Sequence, residues 1–184
     1  MGNIIIVITL YQPYATLLAY GIKKNETRPG KTSHTLEKGK YLIHAAKKFN
    51  KELTELCNRE PIRTELAEIG FRQSKHINGI GGSHGRWIHD LPLGQIIGSF
   101  EVRECVTVGH TFKENNHIAA AFALSPTEGG ISFKYPELSY GDYSEGRTIW
   151  IGQNHKVLEN PIAYKGQQGY YAKFKGDINQ LIYK

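Results

Sequence analysis

Three charged side chains stand close together near the start of the chain, at Lys23, Glu26 and Arg28. Glu26 and Arg28 are two residues apart, so both side chains share one face if this segment is extended. A carboxylate there can accept a hydrogen bond from an exocyclic amine of a nucleobase, and neighbouring cations can contact phosphate. The alternative is an ordinary surface ion pair, worth roughly 0–1 kcal/mol.

Further polar and aromatic residues suit recognition of a base. Gln12 can both donate and accept hydrogen bonds, and the rings of Tyr14 and Tyr143 can stack on a base. Gln12 could equally cap backbone groups where a strand turns into a helix, and His44, inside an apolar strand, could equally be a satisfied core residue. The complete candidate ligand-binding set is Gln12, Pro13, Tyr14, Lys23, Glu26, Arg28, His44, Lys47, Lys48, Tyr143 and Arg147.

A strand and a short helix precede the charged cluster. Residues 4–8 are a β-prone run of isoleucine and valine, which Gln12 and Pro13 interrupt. Apolar residues within 15–19 then predict a short helix. Gly21 predicts the end of that helix, because glycine accepts the left-handed conformation common at helix C-termini. The helix therefore delivers the charged cluster to the edge of the surface on which it packs.

The rest of the chain is predicted to consist mostly of strands, with a few helices. The expected strands cover 41–46, 94–108 and parts of 131–174, and the expected helices cover 47–57, 61–70, 115–124 and 177–183, the last capped by Asp177. The length predicts a single domain over residues 1–184, with a glycine-rich loop insertion near 70–90.

The glycine-rich insertion lacks the two chemical signatures that such a loop can carry. It has no Gly-Lys-Ser/Thr ending, so it is not a phosphate loop. Its histidines have neither Cys partners nor a helical His spacing, so no metal site is expected at His76, His84 and His89.

The charge of the chain is concentrated at its start. Residues 1–51 contain nine Lys or Arg and two acidic residues, whereas the whole chain carries a net charge of +6. The excess therefore lies in the segment that also holds the charged cluster, which favours a polyanionic partner. The alternative is a solvated, lysine-rich surface that only aids solubility.

Composition excludes several classes of protein. Only two cysteines are present, which excludes a disulfide framework or a Cys-rich zinc module. No apolar run has the length of a membrane span, and the start of the chain does not resemble a signal peptide. A cytoplasmic protein without a membrane partner is expected, and the oligomeric state stays open.

The organising residues resemble the signature of the activating signal cointegrator homology (ASCH) domain, a family within the PUA-like superfamily of small β-barrels. The residues that carry this resemblance are Thr9, Gln12, Pro13, Tyr14, Ala15, Leu17, Gly21, Lys23, Glu26 and Arg28, followed by segments 41–48, 91–98, 140–150 and 165–169. The aromatic residue after Gln-Pro is often Trp in the family. Here it is Tyr14, a smaller stacking surface.

The resemblance implies an α+β fold, a PUA-like mixed β-barrel with helices packed around it. It also implies a basic cleft between the first helix and the barrel that binds RNA or a modified nucleoside, with DNA as an alternative ligand and with no cofactor. Lys47, Lys48 and Arg147 would then contact phosphates and make binding salt-dependent.

Catalysis is the competing interpretation. Some small relatives in this family hydrolyse acylated cytidines with a Lys, Thr and Glu set, and the resemblance places Lys23 at the Lys position and Glu26 at the Thr position. A carboxylate thus replaces the hydroxyl nucleophile, so Lys23 and Glu26 would be catalytic only if they activate water. Other relatives have been linked to RNA cleavage, for which His44 or a histidine of the glycine-rich loop could serve as acid and base. A protein-interaction module is a third alternative.

Overall fold

The structure, a computed structural model, describes residues 5–30, 38–72, 86–166 and 172–184. Three helices lie in these ranges: α1 (Tyr14–Ala19), α2 (Lys51–Cys57) and α3 (Ile62–Glu68). The strands are β1 (Ile6–Leu10), β2 (Asn25–Arg28), β3 (Gly39–Ala45), β4 (Phe71–Arg72), β5 (Arg86–Trp87), β6 (Gln95–Glu114), β7 (His117–Ser125), β8 (Gly129–Phe133), β9 (Thr148–Ala163) and β10 (Ala172–Lys173). None of the described helices is long and apolar enough to cross a membrane.

Eight of the strands form one mixed sheet. Its order is β10-β1-β3-β6-β7-β8, and β9 pairs with both β6 and β2. The pair β1–β3 is parallel, whereas β6 pairs antiparallel with each of its partners. Because β6 is 20 residues long, it joins β3 and β9 along its first part and β7 along its last part. The sheet curls around an apolar core, and the predicted α+β, barrel-like fold is confirmed.

The helices pack on the sheet through two apolar clusters that share α1. One side of α1 faces the sheet, where Leu18 and Ala19 join a cluster that includes Trp150. The other side faces α2 and α3, where Leu17 packs with Cys57, Ile62, Leu66, Phe71 and Tyr140. Helix α1 thus lies between the sheet and the layer formed by α2 and α3.

The turn after α1 follows the prediction closely. Gly21 has a φ of +69°, and the backbone N–H of Gly21 donates to the carbonyl of Leu18 over 3.1 Å. A Cβ atom at Gly21 would lie 3.2 Å from Cβ of His155, so space as well as conformation favours glycine. Ile22 closes the same turn onto the carbonyl of Leu17. The chain leaves this turn directly into the charged cluster.

Two of the helices that the sequence predicts do not form in the structure. The alanine-rich stretch predicted as a helix over 115–124 is instead the strand β7, paired with β6 on one edge and β8 on the other. Alanine has the highest helix propensity of all residues, but helix propensities are small, and pairing along both edges outweighs them. In place of the helix predicted over 177–183, only a short 3₁₀ turn forms, over Ile178–Gln180. Asp177 does accept a hydrogen bond from the backbone N–H of Asn179 over 2.9 Å.

The predicted loop near 70–90 is structured at both of its ends. Phe71–Arg72 pairs in parallel with Arg86–Trp87, and a 3₁₀ turn follows over Ile88–Asp90. His89 is exposed, with its ring 6.1 Å from that of Phe49. Residues 73–85, with His76 and His84, lie outside the described residues, so the expectation about a metal there is untested.

Candidate functional site

Lys23, Glu26 and Arg28 form a contiguous charged group that is mostly buried. Nζ of Lys23 lies 3.3 Å from Oε2 of Glu26, and Nε of Arg28 lies 3.1 Å from Oε1. The side chains of Lys23 and Glu26 are 2% and 8% exposed, whereas that of Arg28 is 24% exposed. Glu26 therefore bridges two cations, and only the arginine end of the group opens to solvent.

The pairing of β2 with β9 fixes the arginine. Glu26 stands opposite Trp150 and Arg28 opposite Thr148 in the antiparallel register. Alternation along β2 points Glu26 and Arg28 to one face, as the spacing predicts, and Thr27 to the other, where its hydroxyl accepts from the backbone N–H of Asp142. The guanidinium of Arg28 lies over the indole ring of Trp150, 5.2 Å from its centroid.

Lys23 is held on three sides. Its ammonium donates a 2.8 Å hydrogen bond to the carbonyl of Tyr140 in addition to its contact with Glu26. It also lies 5.6 Å from the ring centroid of Tyr14, within the range of a cation–π contact. Burial, and then the negative charge of Glu26, raises the pKa of the Tyr14 hydroxyl. Tyr14 therefore borders the charged group as a neutral, partly exposed ring.

Glu137 organises the backbone that carries the charged group. Its carboxylate accepts hydrogen bonds from the backbone N–H groups of Lys24 and Asn25, from the amide of Asn25, and from the hydroxyl of Tyr143, at 2.7–3.1 Å. The amide oxygen of Asn25 in turn accepts from the backbone N–H of Gly152. Sequence reasoning missed Glu137, because nothing local in 134–147 indicates that its partners lie 113 residues earlier.

Gln12 and Pro13 lie at the start of α1. Gln12 is fully buried; its side chain donates to the carbonyl of Pro92 over 2.9 Å and accepts from the backbone N–H of Thr16 over 3.2 Å. Pro13 is the N-cap residue of the helix. The amide of Gln12 thus has a donor and an acceptor partner inside the protein, as in the capping alternative considered for it.

Tyr143 is packed inside the protein. It is 2% exposed, its ring centroid lies 5.2 Å from that of Phe133, and its hydroxyl donates to Glu137. Burial, followed by the charge of Glu137, raises the pKa of this hydroxyl well above its usual range. A ring in this position supports the backbone under the charged group rather than presenting a free face.

His44 lies in a different neighbourhood from the charged group. Its Nε2 donates to the carbonyl of Tyr164 over 3.2 Å, which leaves Nδ1 to accept from the hydroxyl of Thr9 over 3.1 Å. Gly166 approaches so closely that a Cβ atom there would lie 2.3 Å from Cε1 of His44. Burial lowers the pKa of His44. Among the described residues, no contact joins His44 to Lys23, Glu26 or Arg28.

The remaining predicted phosphate contacts lie at two places on the surface. Lys47 and Lys48 follow β3 and are exposed, with Nζ of Lys48 6.0 Å from the ring centroid of Tyr11. Arg147 precedes β9, and its Nε lies 3.4 Å from a carboxylate oxygen of Asp142. Arg147 directly precedes Thr148, the residue that stands opposite Arg28 in the register of β2 and β9.

The arrangement can hold a polar planar ligand more readily than it can activate a nucleophile. Within the described part of the chain, the Lys23 ammonium contacts a carbonyl, a carboxylate and an aromatic ring, and no Ser or Thr hydroxyl. The hydroxyl of neighbouring Thr27 is turned away and engaged with Asp142. The partly exposed side chains of Arg28 and Tyr14 are the groups through which the buried charges meet solvent.

A mixed, curled sheet with helices packed around it and a buried charged group beside the first helix define a PUA-like α+β domain. The family model of the ASCH domain matches residues 8–162, and the chain belongs to the ASCH domain family. Members of that family are generally thought to bind RNA. A search of curated proteins found no match.

Proposed function

We propose that this ASCH domain binds RNA and recognises one nucleobase, standard or modified, in the cleft between α1 and the β2–β9 strand pair. The observation that carries the proposal is the buried charged group. Lys23 is 1% exposed and Glu26 is 6% exposed, and Glu26 contacts both Lys23 and the partly exposed Arg28. Removing such charges from water costs free energy, and apolar side chains of similar volume would often be as stable. A role in binding accounts for their presence.

The chemistry of the group suits the edge of a base. A carboxylate has about four lone-pair positions, and the two cations use only part of them, so Glu26 can still accept from an exocyclic amine. The guanidinium of Arg28 has five N–H donors, of which only the Nε side faces Glu26. Tyr14 supplies an aromatic face beside them for stacking. Donor, acceptor and stacking surface thus lie within one cleft.

A matched pair of arginine variants tests the proposal. Arg28→Gln removes the open cation, whereas Arg63→Gln removes an arginine that is 54% exposed and paired with Glu60 on the surface. Short RNAs and a panel of standard and modified nucleosides are titrated against both variants and the wild type. We expect Arg28→Gln to weaken binding by roughly 1–3 kcal/mol and to change the preference among bases. Equal affinities for Arg28→Gln and wild type would overturn the proposal.

Hydrolysis of an acylated cytidine is the second candidate, because a lysine and a carboxylate lie 3.3 Å apart in a buried site. Water would have to act as the nucleophile. Mass spectrometry of the same incubations distinguishes the two functions: we expect the acylated nucleoside to be recovered intact. If the wild type releases the acyl group and Lys23→Met does not, the domain is an amidohydrolase and the binding proposal is wrong. RNA fragments in the same spectra would identify a ribonuclease.

A further inference from the structure

A second group of lysines lies outside the cleft, near the end of the chain. Residues 156–184 contain five lysines and two acidic residues, an excess that is hidden when charges are summed over everything after residue 51. Three of these lysines, Lys165, Lys173 and Lys175, line a pocket of about 250 Å³ together with Tyr164 and Ala172. The sequence predicts that the excess positive charge lies within residues 1–51. The basic surface instead extends beyond them.

Tyr164 anchors the segment that carries these lysines. Its backbone N–H donates to the carbonyl of Gly94 over 3.0 Å, and its own carbonyl accepts from Nε2 of His44. Its hydroxyl donates to the carbonyl of Lys173 over 3.2 Å, which ties β10 to the end of β9. Lys165, next to Tyr164, and Lys173 thus lie on backbone that is fixed by hydrogen bonds.

Gly94 connects this segment to the lysines after β3. Its backbone N–H donates to the carbonyl of Ala45 over 2.8 Å. A Cβ atom at Gly94 would lie 2.8 Å from Cε of Lys47, so the side chain of Lys47 lies across the glycine. Lys48 follows, beside the ring of Tyr11, which is 45% exposed. Gly94 thus links the two groups of lysines, which together are here called the lysine strip: Lys48, Lys47, Lys165, Lys173 and Lys175.

The strand register gives the strip its direction. Ala45, just before Lys47, stands opposite Leu10 of β1, whereas Lys173 stands opposite Ile6 of the same strand. Four residues of strand separate these levels, or about 13 Å. The strip therefore runs from the end of β3, near the start of α1, to the edge strand β10.

Within the described part of the chain, the lysines of the strip form no ion pairs. In the described ranges, none of its five lysines has a carboxylate oxygen within 4.0 Å, whereas both cations of the cleft are paired with Glu26. Lysines without carboxylate partners, with an exposed aromatic residue such as Tyr11 beside them, are typical of a surface that binds a nucleic-acid backbone.

We propose that the lysine strip binds the phosphate backbone of the RNA whose base is held in the cleft. The proposal rests on the function proposed above and extends its footprint. Tyr11 lies at one end of the strip and Tyr14 borders the cleft, with only the Gln12–Pro13 corner of the chain between them. An RNA strand can therefore pass from the cleft to the strip at the start of α1.

The experiment compares two triple variants on two lengths of RNA. One variant changes Lys165, Lys173 and Lys175 to Gln; the control changes Lys51, Lys113 and Lys134, which are exposed lysines outside the strip. Affinities are measured over a range of salt for RNAs of about 4 and about 16 nucleotides, the limits of typical single-strand site sizes. For the longer RNA we expect the strip variant to lower the slope of log K against log salt by about 2, at about 0.7 for each lost phosphate contact.

Binding of the short RNA shows which of the two proposals is wrong, the one about the strip or the one about the cleft. We expect the strip variant to bind the short RNA as the wild type does, and the control variant to match the wild type on both lengths. If the strip variant keeps the wild-type slope on the long RNA, the strip proposal is wrong while the cleft proposal stands. If the wild type binds neither RNA but binds vesicles containing anionic lipid through these lysines, the strip serves a membrane surface and both RNA proposals fail.

Discussion

The guanidinium of Arg28 covers the indole of Trp150, with its central carbon 5.2 Å from the ring centroid. Trp150 is fully buried, and its indole N–H has no hydrogen-bond partner among the described residues. Glu26 holds Arg28 in this place through the Nε contact. Arg28 is therefore the most exposed member of the charged group, and its contact with the carboxylate of Glu26 sets its orientation.

Removal of the charge of Glu26 is expected to destabilise the protein. In Glu26→Gln, two cations remain next to each other in a mostly buried site without a carboxylate between them. We expect a loss of about 3 kcal/mol in the free energy of unfolding, measured by chemical denaturation. The matched control is Glu55→Gln, which breaks an exposed pair with Lys51 and should cost less than about 1 kcal/mol. Equal losses in the two variants would show that the buried group contributes no more than a surface pair.

Glu137 should matter more for stability than the hydroxyl of Tyr143, one of the groups that it binds. Glu137→Gln exchanges one acceptor oxygen for an N–H₂ donor facing the backbone N–H of Lys24 or Asn25. We expect a loss of roughly 2–3 kcal/mol, against roughly 1–2 kcal/mol for Tyr143→Phe, which removes only one hydrogen bond to the carboxylate. Denaturation curves of the two variants measure this order, and a reversed order would contradict the organising role assigned to Glu137.

The ring of Tyr14, rather than its hydroxyl, should support RNA binding. The raised pKa keeps the hydroxyl neutral, and stacking needs only the aromatic face. Tyr14→Phe should keep most of the affinity, whereas Tyr14→Leu should lose roughly 1–3 kcal/mol. Titration with a short RNA at a temperature where all three proteins are folded measures the difference. If Tyr14→Phe loses as much as Tyr14→Leu, the hydroxyl binds the ligand and the stacking role is wrong.

Acidification should destabilise the fold through two histidines, the buried His44 and the half-buried His155. Burial lowers the pKa values of His44 and His155 below their ordinary value of 6.5. As pH falls through 6.5, the unfolded chain takes up protons that the folded chain does not, so the free energy of unfolding decreases. We expect the wild type to lose more stability between pH 7 and pH 5 than the double variant His44→Gln, His155→Gln. A wild type that becomes more stable over this range would contradict the assigned direction.

The sequence predicts those parts of the site that depend on neighbouring residues. The helix before Gly21 and the shared face of Glu26 and Arg28 follow from local periodicity and glycine chemistry, and the structure has both. The carbonyl of Tyr140 and the carboxylate of Glu137 reach the site from more than 110 residues away, and no local pattern encodes such pairings. For the same reason an alanine-rich stretch was assigned to a helix, although its strand partners decide its conformation.

The pairing of β2 with β9 also determines when the cleft can exist. Among the described strands, β2 has β9 as its sole partner, and the carbonyl that fixes Lys23 lies 117 residues further along the chain. A growing polypeptide that has emerged only as far as β8 therefore holds Lys23, Glu26 and Arg28 without the surface that orients them. Contacts between such distant segments form slowly, because a long loop must close first. The cleft is thus assembled late in folding, so a nascent or truncated chain that stops before β9 should have the motif but lack the binding site.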